Sequence, residues 1–161
     1  MYKRQALVRP DRSAGWQRLE TRPVPPLEVR TLGRMLFEPD GAVIRSGGIA
    51  QLGHALDAGL LDGHLAYLTA DIEAHSPFAT TFAVREHLPY DRKALRRWVA
   101  QHQVGRLEIK QRGVGFDPAE LRRELRPSGP NSATMIVFRT PHGAAVAIAD
   151  RLPRQQYPGI A

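Results

Sequence analysis

Between Val104 and Pro127 the chain reads V-G-R-L-E-I-K-Q-R-G-V-G-F-D-P-A-E-L-R-R-E-L-R-P, and that run permits few folds. Leu107 and Ile109 alternate with Arg106, Glu108 and Lys110, the two-residue period of a strand with one packed and one charged face. Gly113 and Gly115 then break the pattern. Asp117 supplies an N-cap carboxylate, Pro118 suits the first helical position, and Glu120 follows three residues after the cap. In the helix that results, Leu121 and Leu125 lie one turn apart on the inner face. Arg122, Arg123 and Arg126 gather toward its C-terminal end, where the helix dipole favours cations. Strand, glycine turn and basic helix form one unit, around which the rest of the chain must be arranged.

Upstream, strand and helix patterns alternate. Thr31 to Phe37 reads as a strand, and Glu38-Pro39-Asp40 prepares a helix over residues 41–56, with Ile44, Gly48, Leu52 and Leu56 on one face. Gly47-Gly48 in its middle predicts close packing or a kink. His64 to Ala70 and Phe78 to Val84 are candidate strands. Asp91 caps a helix over residues 92–102, with Leu95, Trp98, Val99 and His102 as its inner stripe and Arg92, Lys93, Arg96 and Arg97 as its charged side. Downstream, Ala133 to Arg139 and Ala144 to Ala149 read as two strands joined by a hairpin at Thr140-Pro141-His142-Gly143.

The two ends read differently. Met1 to Gln5, M-Y-K-R-Q, resembles the translation of a sequencing adaptor left at the end of an assembled read, so these residues are expected to be non-native, with the native chain continuing upstream. Residues 6–30 hold a short strand at Ala6 to Val8 and then Pro10, Pro23, Pro25 and Pro26, which points to a connector. Residues 151–161, with Pro153 and Pro158, are expected to be a flexible tail.

Charge is distributed unevenly. The net charge of +7 resolves into +4 over residues 1–30, −4 over 31–88, +5 over 89–127 and +2 beyond. Twenty of the 23 basic residues are arginine, which suits bidentate phosphate contacts and stacking on bases, although a GC-rich coding bias yields the same composition. There is no cysteine, hence no disulfide framework and no thiolate metal site.

Candidate catalytic chemistry is sparse. Gly113-Val114-Gly115 is the one G-x-G near a strand-to-helix junction, and Asp117 and Glu120 at that helix start would repel a phosphate. Ser46 lacks the flanks of a nucleophile elbow, the six histidines stand singly, and Asp71, Glu73 and His75 make a loop cluster short of a ligand set. No catalytic, cofactor-binding or metal residue is assigned.

The string L-E-I-K-Q-R-G-V followed by D-P-A-E-L-R-R-E-L resembles the THUMP-like domain at the C-terminus of a bacterial family of class I S-adenosylmethionine-dependent methyltransferases. Residues 32–47, A-Y-L-T from Ala66, P-F-A-T from Pro77 and L-P-Y-D-R-K-A-L-R from Leu88 resemble it in the same order. The resemblance implies a single α/β (α+β) domain over residues 31–150, with a mixed sheet and about three helices. It further implies a non-catalytic module that binds or positions RNA beside its own N-terminal methyltransferase domain. S-adenosylmethionine is expected in that missing domain and no cofactor here. The lack of cysteine, of a signal peptide and of a membrane-length apolar run leads to the expectation of a cytoplasmic protein without a membrane partner. Arg106, Lys110, Arg112, Arg122, Arg123 and Arg126 are the candidate RNA contacts. The alternative is a docking or dimerisation module without RNA contact. Trp98 is expected in the core rather than against a base.

Overall fold

The structure, a computed structural model, describes residues 4–155 and divides into two units, one formed by residues up to Ala83 together with those from Arg151, the other by Val84–Asp150.

In the first unit, β1 (Gln5–Val8) and β2 (Gln17–Glu20) pair antiparallel, with Ala6 opposite Leu19. Ala6 and Val8 are buried, so the stretch expected as a connector opens with a packed hairpin. The polar sequence of β2, with Leu19 its one apolar residue, gives no sign of the pairing. Arg4 belongs to the described residues and accepts the Thr21 amide on its carbonyl at 3.0 Å, whereas Met1 to Lys3 of the expected adaptor lie outside them. Asp11 closes the turn by accepting from the Ser13 and Ala14 amides, both at 2.8 Å.

β3 (Met35–Pro39) leads to Asp40, whose carboxylate accepts the Ala42 amide at 2.8 Å and starts α1 (Gly41–Ser46). Gly47 adopts φ 76°, a left-handed cap that ends α1, and α2 (Ile49–Ala55) begins after Gly48. The expected single helix is therefore two, and the described residues hold four helices where about three were expected. β4 (Gly59–Leu60), β5 (Leu68–Ala70) and the residues of β6 (Ala79–Pro89) up to Ala83 follow in this unit. β3 lies antiparallel between β5 and the first half of β6, with Met35 opposite both Ala70 and Ala83. Met35 and Phe37 pack with Val43, Leu52, Leu56 and Leu68. The Leu152 amide bonds the Thr81 carbonyl at 2.9 Å, and residues 156–161 of the expected tail lie outside the described residues.

In the second unit, Asp91 caps α3 (Arg92–Gln101) through the Ala94 amide at 2.6 Å. β7 (Val104–Arg112), α4 (Pro118–Leu125), β8 (Asn131–Thr140) and β9 (Gly143–Arg151) follow. β7 and β8 are parallel neighbours, with Ile109 opposite Met135, and parallel neighbours need a crossover, which α4 supplies. β9 runs antiparallel to β8, and β7 forms the edge. The fold is thus α/β with a mixed sheet. Leu95 and Val99 of α3 and Leu121 and Leu125 of α4 pack on Leu107, Ile109, Met135 and Val146. Where β7 bulges between Val104 and Arg106, a Cβ on Gly105 would lie 1.8 Å from the Gly129 carbonyl oxygen, so only glycine fits.

Candidate functional site

Packing of Leu95 and Val99 beside Leu121 and Leu125 brings the outer sides of α3 and α4 together. Between them lies an open cleft of about 500 Å³, lined by Arg92, Lys93 and Arg96 from α3 and Arg123, Glu124 and Arg126 from α4. Five cations therefore surround one carboxylate. That carboxylate is engaged: Arg92 Nη1 donates to Glu124 Oε1 and Oε2 at 2.6 and 2.7 Å. The remaining four cations concentrate positive potential in the concavity, an arrangement suited to a polyanion. Arg126 caps α4 at φ 51°, ψ 56°, a left-handed conformation that favours glycine.

The six candidate contacts do not form one surface. Arg123 and Arg126 line the cleft. Arg122 donates from Nε to the Leu107 carbonyl at 2.8 Å, taking up a backbone acceptor of the edge strand. Arg106, Lys110 and Arg112 alternate with Leu107 and Ile109, whose side chains enter the core under the helices, so the three basic residues face the opposite side of the sheet. There Lys110 Nζ lies 4.0 Å from Glu108, which also accepts from the Thr134 hydroxyl at 3.2 Å. The cations missed as site residues are Arg92, Lys93 and Arg96; their i, i+1, i+4 spacing marked a charged helix side but not what lay beside it.

The other flank of α3 is aromatic. Trp98 is half-buried against the core, and its indole N–H donates to Glu86 at 2.9 Å. Its ring stacks on His102, centroids 4.1 Å apart. His102 is exposed at the helix end, which corrects its place in the inner stripe: α3 closes before the fourth position of that stripe turns inward. Arg85 grips Asp150 with Nε and Nη2 at 2.5 and 2.6 Å, and that hydrogen bond, then the carboxylate's charge, raises the arginine pKa above its ordinary value.

The helix start after the G-x-G turn is already occupied by the chain's own carboxylates. Asp117 accepts the Ala119 amide at 2.9 Å and, with Glu120 in the first turn, places negative charge where a ligand anion would need amides. In the loop cluster, His75 Nε2 lies 2.9 Å from Glu73, while Asp71 accepts the Arg34 amide at 3.3 Å. Among the described residues no group of three or more His, Asp or Glu could hold a metal ion, and no helix is long and apolar enough to cross a membrane.

A family model for the THUMP domain-like family matches residues 79–151, nearly the span of the second unit. The chain contains a THUMP-like domain. It is also related to bacterial S-adenosylmethionine-dependent methyltransferases: uncharacterized members from two strains of Mycobacterium tuberculosis are each 35% identical over 116 residues, 72% of this chain and 32% of theirs. The chain thus spans about a third of the length of these curated relatives. A crystal structure of a protein described as a methyltransferase from Porphyromonas gingivalis matches 81% of this chain and 32% of its own, with a TM-score of 0.67 and 17% identity, a likeness of fold alone. The α3–α4 cleft belongs wholly to the THUMP-like domain.

Proposed function

We propose that the THUMP-like domain binds or positions an RNA substrate for a cytoplasmic S-adenosylmethionine-dependent methyltransferase, and is not itself catalytic. Methyl transfer and cofactor binding are assigned to the part of such proteins that this chain does not cover. The observation that carries the reading is the cleft in which Arg92, Lys93, Arg96, Arg123 and Arg126 converge around Glu124 alone. Phosphate contacts supply most of the affinity of such surfaces, and guanidinium groups match phosphate geometry. Arg122, bonded to the Leu107 carbonyl, does not line the cleft. Arg106, Lys110 and Arg112 join the same interface only if the strand wraps the β7 edge.

Fluorescence anisotropy of the 161-residue chain with short RNAs across a salt series tests this, beside Arg123→Glu/Arg126→Glu. Binding that falls steeply with salt, weakens at least about tenfold in the variant and loses roughly 0.7 in slope per lost contact is the expected result. A folded chain that binds no RNA at low salt would overturn it.

The second reading, a docking module for the methyltransferase domain, is favoured by exposed apolar side chains in and beside the N-terminal hairpin, Trp16 at 55% and Leu7 at 45% exposure. Salt-tolerant association abolished by Trp16→Ala would support docking instead.

A further inference from the structure

Helix α3 has two working flanks. Arg92 and Arg96 lie one turn apart on the side of α4, and Trp98 and His102 lie one turn apart on the other side of the Leu95–Val99 stripe. On that second side is a cleft of about 340 Å³, lined among others by Trp98, His102, Arg85, Asn131, Ser132 and Asp150. This is within the range of small-ligand sites, roughly 300–1,000 Å³. Its rings are fixed in place. Trp98 is anchored through Glu86, and His102 Nδ1 lies 2.9 Å from the Trp98 carbonyl. Asn131 Nδ2 donates to the His102 carbonyl at 2.9 Å and ties the helix end to β8. The rings stack within 20° of parallel, with the imidazole exposed.

We propose that the Trp98–His102 stack is the platform for one unpaired RNA base, which continues the stack on the imidazole. The Arg85–Asp150 pair and Ser132 present donors and acceptors to the base edge. A planar base suits this site because a pre-stacked aromatic pair offers a large flat surface at little conformational cost, and every base has a π-face. The site rests on the RNA reading and deepens it: the strand's phosphates lie along the arginine flank of α3, and a splayed base is held on the aromatic flank. Unpaired RNA is thereby preferred over duplex, whose bases are already stacked on one another.

The test compares a short oligoadenylate with its duplex, using the 161-residue chain, His102→Ala and His102→Tyr, with circular dichroism to verify folding. The chain should prefer the single strand by about fivefold or more, the range of one base–aromatic stack. His102→Ala should lose that preference and His102→Tyr should keep it, all three with the same salt slope. In a Trp16→Phe background, Trp98 fluorescence should change on binding the single strand. A His102→Ala protein that keeps both the preference and the fluorescence change, with salt-dependent binding intact, overturns the base platform and leaves the arginine cleft standing. No RNA binding by the folded chain overturns both.

Discussion

Arg92 Nη1 bonds both carboxylate oxygens of Glu124, at 2.6 and 2.7 Å, joining the start of α3 to the last turns of α4 across residues far apart in the chain. The pair gives the basic cleft an internal anion. One of its five cations is thereby compensated before any ligand arrives, and Glu124 sits where a phosphate would compete for the same guanidinium.

Removing that competitor should strengthen binding. Glu124→Gln is expected to raise RNA affinity about two- to fivefold at low salt and to steepen the salt dependence by up to roughly 0.7, one further phosphate contact. The melting temperature should hardly move, since exposed ion pairs contribute little to stability. Unchanged affinity in an anisotropy titration would place the ligand away from Arg92.

Stability and binding should move in opposite directions at Arg126. Its left-handed backbone costs a side-chain-bearing residue about 1–2 kcal/mol, part of which glycine recovers after its own entropic cost. Arg126→Gly is therefore expected to stabilise the domain by roughly 0.5–1 kcal/mol in urea titrations while weakening RNA binding severalfold. A variant that gains stability without losing affinity would remove Arg126 from the interface.

At the β7 bulge the sign is unambiguous. Gly105→Ala would drive a methyl group into the Gly129 carbonyl and should destabilise by about 3 kcal/mol or more. Gly115→Ala, whose added carbon meets nothing within 4 Å, should stay within about 0.5 kcal/mol. Equal denaturation midpoints for the two variants would mean that the bulge relaxes in solution.

Low pH tests the hairpin turn. The Ser13 hydroxyl, then the Ala14 and Ser13 amides, hold the Asp11 carboxyl below its ordinary value of 3.8. A depressed folded value means that the stabilising contribution is present above the unfolded value and is lost as pH falls through the folded one. Carboxyl-detected NMR should give a midpoint below 3.8 for Asp11. A midpoint at or above that value would show the turn open.

Local chemistry was legible. Asp40, Asp91 and Asp117 cap helices as their types and positions predict, and the alternation of Leu107 and Ile109 marked β7 and its inner face. The break at Gly47 was half legible: two glycines signalled disruption, but kink and full termination differ only in backbone angles set by packing. β2 and β4 carried no periodic signal, because Gln17–Glu20 and Gly59–Leu60 are strands only by virtue of their partners.

The sequence by itself determined the strand, turn and basic helix of residues 104–127, the caps and the family resemblance, since alternation, capping residues and motif spacing are all written within a few consecutive residues. Only the tertiary structure decided which arginines share a surface. Burial of Leu95, Val99, Leu121 and Leu125 on one sheet face sets α3 against α4, so Arg92, Lys93 and Arg96 join Arg123 and Arg126. The pleat of β7 turns Arg106, Lys110 and Arg112 to the other side. Apolar packing between distant segments, which chain order does not encode, made that choice.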